Sequence, residues 1–424
     1  MQIIKSTCEI ARRRERALNY IPRHLSNVVE ETARTFPVTL VTGPRQVGKT
    51  TLLRELLPDA SYTTLDRLDA LDSAEQEPER FLRSLSKPAI IDEVQYAPSL
   101  FRYVKLEADA QPRTKGRLFL TGSQRFQMMQ GVDESLAGRA GIVEMLGLSS
   151  RELRRDPFKE PFVPTGDYVE RRNPIASGES DVWEDIFRGD LPELAVDHSM
   201  SITRYYDSYI ETYVRRDVRD LAHVGDLAKF NRFMGILAQS HGQMLNKSDL
   251  ANKTDASFQT IDRWLSVLEA SNIVHLLKPF TASATKRLVK TPKLYFLNSG
   301  LAARLCGYAS PREIENSQQA GAFFEGYVIA EVAKSFLNAS GIMPTLYYYR
   351  DSGGHEIDLV IEQGMRLYPV EIKKAEVARP ADAKAFPLLE TFKGYERQPG
   401  AVVCQTKAPL PLPGGVWALP LSYL

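Results

Sequence analysis

The chain has 424 residues, of which 43% are hydrophobic and 25% are charged, and its formal net charge is +1. This length predicts two or three domains, and the near-neutral charge excludes a basic field over the whole surface that would attract nucleic acid. Cys8, Cys306 and Cys404 are odd in number and far apart, which excludes a disulfide framework and favours a reducing, cytoplasmic location. No apolar run reaches 18 residues, so no membrane partner is expected.

The first motif is LVTGPRQVGKTTLL at 40–53, which fits G-x-x-x-x-G-K-[ST] between a strand-like run and a helix-like run. Its glycines let backbone N–H groups turn towards phosphate oxygens, and the helix start adds further unpaired N–H groups. Lys49 is expected to reach the β- and γ-phosphates and Thr50 to ligate Mg²⁺. The predicted cofactors are ATP and Mg²⁺, with the choice between ATP and GTP left open because such a loop reads phosphates. The predicted cofactor-binding residues are Gly43, Pro44, Arg45, Gln46, Val47, Gly48, Lys49, Thr50 and Thr51.

Residues from about 37 to 153 alternate short apolar strands with helix-like segments, which predicts a parallel sheet covered by helices. The strand at 89–91 ends in Asp92 and Glu93. Ligands of such sheets lie at the carboxyl ends of strands, so Asp92 is expected to hold Mg²⁺ and Glu93 to orient and deprotonate a water. The alternative is a pair of solvated acids.

Two further residues are candidates for catalysis. Ser123 follows another apolar strand, with Gln124 next to it, and is expected to lie beside the γ-phosphate or the attacking water. Arg139 ends a helix-like segment and is a candidate arginine finger, acting within its own subunit or on a neighbour in a homo-oligomer. An ordinary surface arginine is the alternative.

A stretch rich in proline, glycine and charge at 156–182 predicts a linker or mobile loop, and a mostly helical region follows. Within that region, 246–280 has the rhythm of a helix-turn-helix with a β-wing. Gln259, Thr260 and Arg263 would then face outward, available to DNA. A lid or partner-docking module of the same shape is the alternative.

The last region predicts a helix followed by strands, as in a separate α/β unit. Asp358 lies on one strand, and Glu371 and Lys373 share a face of the next because strand side chains alternate. Glu325 on the preceding helix adds a carboxylate. Two carboxylates hold Mg²⁺ and a nearby lysine stabilises a water nucleophile, which predicts a nuclease-like metal site. The alternative is a salt-bridged sheet edge.

These motifs occur in the order YIPR, GPRQVGKTTLL, AIIDEVQ, LTGSQRF, SLAGR, FFEGYVIAEV and GGHEIDLVI…VEIKKA. From about residue 20 onward, the chain resembles prokaryotic AAA-type ATPases with a C-terminal DUF4143 domain. The resemblance implies an α/β fold: a P-loop NTPase parallel sheet, a helical winged-helix-like region and a small domain similar to PD-(D/E)xK restriction endonucleases. It implies phosphate binding by the P-loop, the Walker-B role for Asp92 and Glu93, and nuclease-type positions at Asp358, Glu371 and Lys373, with Glu325 as the helix acid. The predicted divisions are an N-terminal extension at 1–19, the ATPase core at 20–155, the linker at 156–182, the helical region at 183–300 and the C-terminal domain at 301–424.

One position departs from the family pattern: Asn298 stands where such proteins usually carry an aspartate. The leading hypothesis is a Mg²⁺-dependent ATPase that couples turnover to a rear module acting on duplex DNA or on a DNA-acting protein. A nucleotide-gated nuclease and a non-catalytic ATP/ADP switch are the alternatives.

Overall fold

The computed structural model describes residues 20–123, 136–176, 181–214, 227–281 and 291–424. The predicted N-terminal extension and Gln124 lie outside the described residues. Within them the α-helices are α1 (Ser26–Thr35), α2 (Lys49–Leu56), α3 (Leu68–Gln76), α4 (Pro78–Ser84), α5 (Leu100–Ala110), α6 (Ser150–Leu153), α7 (Gly166–Arg172), α8 (Val182–Arg188), α9 (Pro192–Val196), α10 (Ile202–Tyr209), α11 (Leu227–Gln239), α12 (Lys247–Thr254), α13 (Phe258–Ala270), α14 (Ser299–Leu305), α15 (Pro311–Glu315) and α16 (Ala320–Ser340). The strands are β1 (Val38–Thr42), β2 (Ser61–Thr64), β3 (Ala89–Asp92), β4 (Leu118–Gly122), β5 (Ala140–Glu144), β6 (Val274–Pro279), β7 (Lys293–Phe296), β8 (Thr345–Arg350), β9 (Glu356–Gln363), β10 (Arg366–Ile372), β11 (Glu396–Arg397), β12 (Ala401–Cys404), β13 (Leu410–Leu412) and β14 (Val416–Pro420).

The front of the described chain is a five-stranded sheet in the order β2-β3-β4-β1-β5, with every neighbouring pair parallel. All five residues of β1 are buried, and Leu40 pairs with Leu120 of β4 and Ile142 of β5. Strands buried on both faces form in this way when helices cover both sides of a parallel sheet. The arrangement confirms the predicted P-loop NTPase sheet, and it brings the ends of β1, β3 and β4 to one edge.

The segment at 156–182 was predicted to be a linker or mobile loop, and its described part is packed into the protein instead. Phe158, Phe162 and Tyr168 are buried, and Arg172 is 2% exposed with a salt bridge to Asp156. The two phenylalanine rings meet Tyr168 edge to face at centroid distances of 5.6 Å. Burial of these aromatic side chains therefore packs the segment into the protein, although its proline and glycine content is typical of a linker.

Residues 422–424 pack against the same segment. Arg172 and Tyr168 donate hydrogen bonds of 2.6 Å to the backbone oxygens of Ser422 and Tyr423, and Arg151 donates one of 2.5 Å to Leu424. These contacts join positions about 250 residues apart in the sequence, so the C-terminal end of the chain is held against the segment around α7.

In the described part of residues 227–296, within the middle region, three helices, α11 to α13, are followed by the antiparallel pair β6 and β7. Ser257 caps α13 by accepting a hydrogen bond from the N–H of Thr260, as Ser commonly does at a helix start. Ile261, Leu265 and Leu268 of α13 are buried, as their helical spacing predicts. The two helices and the strand lie where the sequence placed them, and their assignment as a winged helix stays a prediction.

The rear sheet has the order β13-β14-β12-β10-β9-β8-β6-β7, with β11 beside β10. The C-terminal unit was predicted to be separate, but β6 of the middle region pairs in parallel with β8, at Lys278 with Tyr347 and Pro279 with Tyr348. One sheet therefore crosses the predicted boundary at 300. Helix α16 is apolar on nearly all sides and lies in the largest core. No helix in the described part of the chain combines the length and apolar composition that crossing a bilayer requires.

Candidate functional site

The loop after β1 contains two glycines with positive φ angles. Gly43 has a φ of 151°, and a Cβ atom there would lie 1.9 Å from the backbone oxygen of Met145. Gly48 has a φ of 96° and immediately precedes α2, which begins at Lys49. Lys49 is 6% exposed, and its ammonium donates to the backbone oxygens of Gly43 at 2.9 Å and Pro44 at 2.7 Å. The loop thus curls around the lysine side chain at the start of a helix, where N–H groups favour anions.

Asp92, at the end of β3, lies opposite this loop. The Thr50 hydroxyl donates to its two carboxylate oxygens at 2.9 and 3.0 Å, and the Tyr62 hydroxyl donates at 3.0 Å. Thr121, at the end of β4, donates a fourth hydrogen bond. Burial, followed by the charge of Asp92, raises the pKa of Tyr62 to about 12. Three hydroxyl groups therefore fix the carboxylate, and sequence reasoning assigned no role to Tyr62 or Thr121.

Glu93 follows with a φ of 57°, a left-handed conformation that is uncommon for residues other than glycine and recurs at functional sites. The side-chain amide of Gln95 donates to the Glu93 carboxylate and lies 3.5 Å from the Ser123 hydroxyl. Gln95 and Ser123 are 3% exposed. The structure thus brings Glu93 and Ser123 to the same edge as Lys49 and Thr50, with Gln95 as a link that the sequence did not single out.

Arg139 lies at the opposite edge of the sheet. Its backbone oxygen accepts from the N–H of Val38 at the start of β1, and its guanidinium donates to Asp109 at 2.6 Å. The P-loop begins at the other end of β1, about 16 Å away given the rise per residue of a strand. This geometry gives no support to an arginine finger acting within the same chain. Thr51, the last predicted cofactor-binding residue, is exposed on α2.

Arg23 contacts both the P-loop and the segment that follows β5. This residue of the YIPR motif is 5% exposed, donates to the backbone oxygen of Val47 at 2.8 Å and forms a salt bridge with Glu152 at 2.9 Å. It also donates to the backbone oxygens of Leu146 and Gly147 at 2.9 and 3.1 Å. Arg23 therefore ties the P-loop to the segment that follows β5, and only the motif itself signalled its importance.

Two tyrosines of α10 contact the P-loop from the middle region. The Tyr205 hydroxyl lies 2.7 Å from Oε1 of Gln46 and 3.2 Å from Glu193, and the Tyr209 hydroxyl donates to the backbone oxygen of Arg45 at 3.3 Å. Gln46 has a φ of 62°. Gln46 and Arg45 of the P-loop are therefore both in hydrogen-bond contact with α10. These positions are about 160 residues apart in sequence, so spacing carried no signal of the contact.

The acidic residues predicted for the C-terminal region also converge. Asp358 on β9 accepts from the N–H of Ile372 at 2.9 Å. The Lys373 ammonium lies 2.5 Å from one oxygen of Glu371 and 3.7 Å from Asp358. The second oxygen of Glu371 is buried without a hydrogen-bond partner in the described residues. Burial, together with the charge of Asp358, raises the pKa of Glu371 to about 7.

Glu325 on α16 faces the same cluster, but its partners come from β7. The Lys293 ammonium lies 3.0 Å from Glu325 and 2.5 Å from Glu356, and the Tyr295 hydroxyl donates to Glu325. Burial and the charge of Asp358 raise the pKa of Glu325 to about 7. Within the described residues, no group of three or more His, Cys, Asp or Glu side chains is arranged to hold a metal ion. Two carboxylates with an unpartnered oxygen fit a single Mg²⁺, which proteins commonly bind through one or two carboxylates and several waters.

Asn298 also has a defined place, as the cap of α14. Its side-chain oxygen accepts from the N–H of Leu301 and from the Tyr206 hydroxyl, and its amide nitrogen donates to Asp190. An aspartate here would set two carboxylates against each other, whereas the amide donates to one.

Comparison with known proteins agrees with the fold of the front sheet. Residues 35–154 match a family model described as an AAA domain, and residues 320–424 match the DUF4143 domain of unknown function. Residues 179–312 match another domain of unknown function, DUF8612. Together with the parallel sheet, these matches define an AAA-type P-loop ATPase domain at the front and a DUF4143 domain at the rear.

Two mycobacterial relatives match over most of their length. The uncharacterized proteins Rv2008c of Mycobacterium tuberculosis and Mb2031c of Mycobacterium bovis are each 31% identical over 341 residues, which is 80% of this chain and 70% of theirs. The chain belongs to the family of AAA-type P-loop ATPases with a C-terminal DUF4143 domain.

Solved structures are similar at lower identity. The Walker-type ATPase PABY2304 of Pyrococcus abyssi is 16% identical with a TM-score of 0.42, over 66% of this chain and 94% of that one. A variant of RuvB from Thermotoga maritima is 16% identical with a TM-score of 0.30, over 62% of this chain and 92% of that one.

Proposed function

We propose that this protein is a Mg²⁺-dependent ATPase. The observation that carries the proposal is the convergence of Lys49, Thr50, Asp92 and Glu93 at one edge of the front sheet, with Thr50 and Asp92 2.9 Å apart. This is the charge arrangement that phosphoryl transfer to water needs, because the reaction depends on positioning and on neutralising phosphate charge.

Each side chain has a distinct task in this reaction. Lys49 exchanges its contacts with loop carbonyls for the phosphates, and the loop N–H groups orient them. Thr50 and Asp92 would hold Mg²⁺, which supplies positive charge to the phosphate oxygens when bound. Glu93 orients the water and accepts its proton, and Gln95 and Ser123 set the direction of the Glu93 carboxylate.

We further propose that turnover is coupled to the rear half of the chain, which acts on duplex DNA or on a DNA-acting protein. The contacts of Tyr205 and Tyr209 with the P-loop support the coupling. Helices α11 to α13 precede the antiparallel pair β6 and β7, and this element order supports a winged helix. Gln259 and Arg263 of α13 are exposed, while Thr260 is half-buried. A helix of this kind reads the major groove through its exposed residues. Alternatively, the same face of α13 binds a protein partner.

Steady-state ATP hydrolysis, measured with and without duplex DNA, tests both parts. Lys49→Ala and Glu93→Gln should abolish turnover, and Glu93→Gln should still bind ATP. Wild-type turnover in Lys49→Ala would overturn the ATPase assignment. If DNA stimulates hydrolysis and Arg263→Ala abolishes the stimulation, the proposal that α13 binds DNA is supported. If DNA does not change the rate of hydrolysis, the client is a protein partner.

A second candidate function is a nucleotide-gated nuclease, favoured by the convergence of Asp358, Glu371 and Lys373. Metal-dependent DNA cleavage should disappear in Asp358→Ala while ATP binding is retained. Glu376→Ala, which removes an exposed acid close in sequence, is the matched control. Cleavage that survives Asp358→Ala would assign the activity to another site or to a contaminant.

A third candidate is a switch in which bound ATP or ADP sets partner affinity without multiple turnover. Release of more than one phosphate per protein within minutes excludes it.

The proposed role of Arg139 is confined to a neighbouring copy, and it requires that ATP promote self-association. Arg139→Ala should then reduce turnover only at protein concentrations where the assembly forms.

A further inference from the structure

Arg23 is a buried cation beside the second glycine of the P-loop. Its side chain is 3% exposed, and its Nη1 donates to the backbone oxygen of Val47 at 2.8 Å. A Cβ atom added to Gly48 would lie 4.0 Å from the same nitrogen. The guanidinium therefore lies against the peptide group that joins Val47 to Gly48, just before α2 begins.

The direction of that peptide group decides where its N–H points. Because the peptide bond is planar and trans, its C=O and N–H point in opposite directions. Arg23 holds the carbonyl oxygen of Val47, so the N–H of Gly48 faces away from the guanidinium. This N–H has no hydrogen-bond partner among the described residues. P-loops bind phosphate through N–H groups of this kind, so an unpartnered donor lies where phosphate is expected.

The glycine on one side of this peptide group also permits the opposite orientation. Gly48 has a φ of 96°, and glycine populates positive and negative φ about equally, so the peptide before it can rotate. The rotated form would present the carbonyl oxygen of Val47 to the phosphates, and that contact is repulsive. The charge of Arg23 on this oxygen opposes the rotation, and it polarises the peptide group so that the N–H becomes a stronger donor.

Arg23 is itself held by the segment that follows β5. Its Nη2 donates to the backbone oxygens of Leu146 and Gly147 at 2.9 and 3.1 Å. Its Nε forms the salt bridge with Glu152, whose side chain is fully buried and balances the charge. One guanidinium therefore sets the position of the P-loop relative to the end of β5.

We propose that Arg23 is a positioning residue for phosphate binding, which acts through the peptide group between Val47 and Gly48 and does not touch the nucleotide. The inference deepens the proposed ATPase function and rests on it for the identity of the ligand. A contact that favours phosphate equally in the ground state and in the transition state changes affinity and leaves the chemical step unaltered. Loss of Arg23 should therefore raise the Kd for nucleotide and the KM for ATP by the same factor, with kcat retained.

Removal of the arginine together with its acid gives the test variant. Arg23→Met alone would leave Glu152 as an unpaired buried charge, whereas Arg23→Met combined with Glu152→Met removes both charges, a change that proteins often tolerate. The matched control combines Arg172→Met with Asp156→Leu, since these two residues form another buried pair, with side chains 2% and 6% exposed. Glu152→Gln, which leaves Arg23 on Val47, is a second control.

Equilibrium binding of a fluorescent ADP analogue, a product and not a substrate of ATP hydrolysis, measures the affinity of each chain. The Kd of the test variant should rise roughly 10- to 100-fold, as the loss of a hydrogen bond to a charged group implies. The Kd of both controls should stay within about twofold of wild type. Inorganic tripolyphosphate, used as a competitor, should lose affinity by the same factor as ADP because it carries no base. Steady-state ATP hydrolysis by the test variant should show a raised KM with kcat within about twofold of wild type.

An unchanged Kd in a folded test variant would overturn the inference. A loss found for ADP and absent for tripolyphosphate would also overturn it, because Arg23 would then act on the base. Equal losses in the test variant and in the matched control would show an effect of stability alone, and they too count against the inference. Should the test variant fail to fold, Arg23→Gln combined with Glu152→Gln removes both charges, keeps two polar side chains in place and is measured in the same way.

The two measurements separate this inference from the ATPase assignment. Wild-type protein that binds the ADP analogue and releases no phosphate from ATP refutes the ATPase, and the inference then stands on the binding data. Wild-type ATP turnover together with an unchanged Kd in the test variant does the reverse.

Discussion

The Thr121 hydroxyl is the contact whose loss best tests the arrangement of the ATPase site. Thr121 is fully buried at the end of β4 and donates to Asp92, which also accepts from Thr50 and Tyr62. If Mg²⁺ binds as proposed, Thr50 would ligate the metal, and the direction of Asp92 would then depend on Thr121 and Tyr62. A hydrogen bond to a charged group is worth about 1.5–3 kcal/mol. If that energy is expressed in the transition state, Thr121→Val should lower kcat roughly 10- to 100-fold.

The assay is steady-state phosphate release at saturating ATP over a range of Mg²⁺ concentrations. Thr39→Val is the matched control, because Thr39 is equally buried on the adjacent β1 and its hydroxyl has no partner among the described residues. That change should leave turnover unaltered and should not destabilise the fold, since removing an unsatisfied hydroxyl relieves a cost. Turnover of Thr121→Val within about twofold of wild type, at every Mg²⁺ concentration, would refute the argument that the hydroxyl groups fix Asp92.

Three further predictions concern other parts of the molecule. Tyr205→Phe removes the contact with Gln46 and should weaken ATP binding about five- to tenfold, as the loss of a neutral hydrogen bond of ~1 kcal/mol implies. Equilibrium binding of a fluorescent ATP analogue measures this change. Unchanged binding would mean that the contact with α10 does not affect the P-loop. Burial lowers the pKa of His241 from 6.5 to about 4, so the unfolded chain binds more protons and stability is lost as the pH falls from about 6.5 towards 4. Urea unfolding should show a loss of about 1 kcal/mol from this group at about pH 5.5, absent in a folded His241→Asn. Tyr168→Phe removes the hydroxyl that donates to Tyr423 and should lower the unfolding free energy by about 1–3 kcal/mol in the same assay, and no change would show that the contact contributes nothing.

The P-loop and the acids after β3 were predictable because their chemistry is encoded within a few consecutive residues. A glycine pattern fixes the loop, and a strand of known direction fixes the edge at which Asp92 lies. Asp358, Glu371 and Lys373 were predictable for a similar reason, since alternation along a strand and pairing with its neighbour set their faces. The structure brings each of these groups together, while their roles in catalysis stay predictions.

What the sequence did not indicate depends on contacts between distant segments. Tyr62, Lys293 and Tyr205 reach their sites through pairing of strands and packing of helices that no local pattern records. The segment at 156–182 was predicted to be a linker because of its proline and glycine content. Its packing depends on contacts such as that between Phe158 and Tyr168, which form only in the folded chain. The continuous rear sheet could not be predicted either, because the sequence of neither β6 nor β8 indicates that the two strands pair.

The pairing of β6 with β8 decides where this chain can be cut. A fragment that starts at 301 would retain β8 and lose β6, leaving an open strand edge of the kind that recruits other strands and leads to aggregation. It would also leave Glu325 and Glu356 without Lys293. The smallest rear fragment with a complete sheet therefore begins before β6, well ahead of the matched DUF4143 domain.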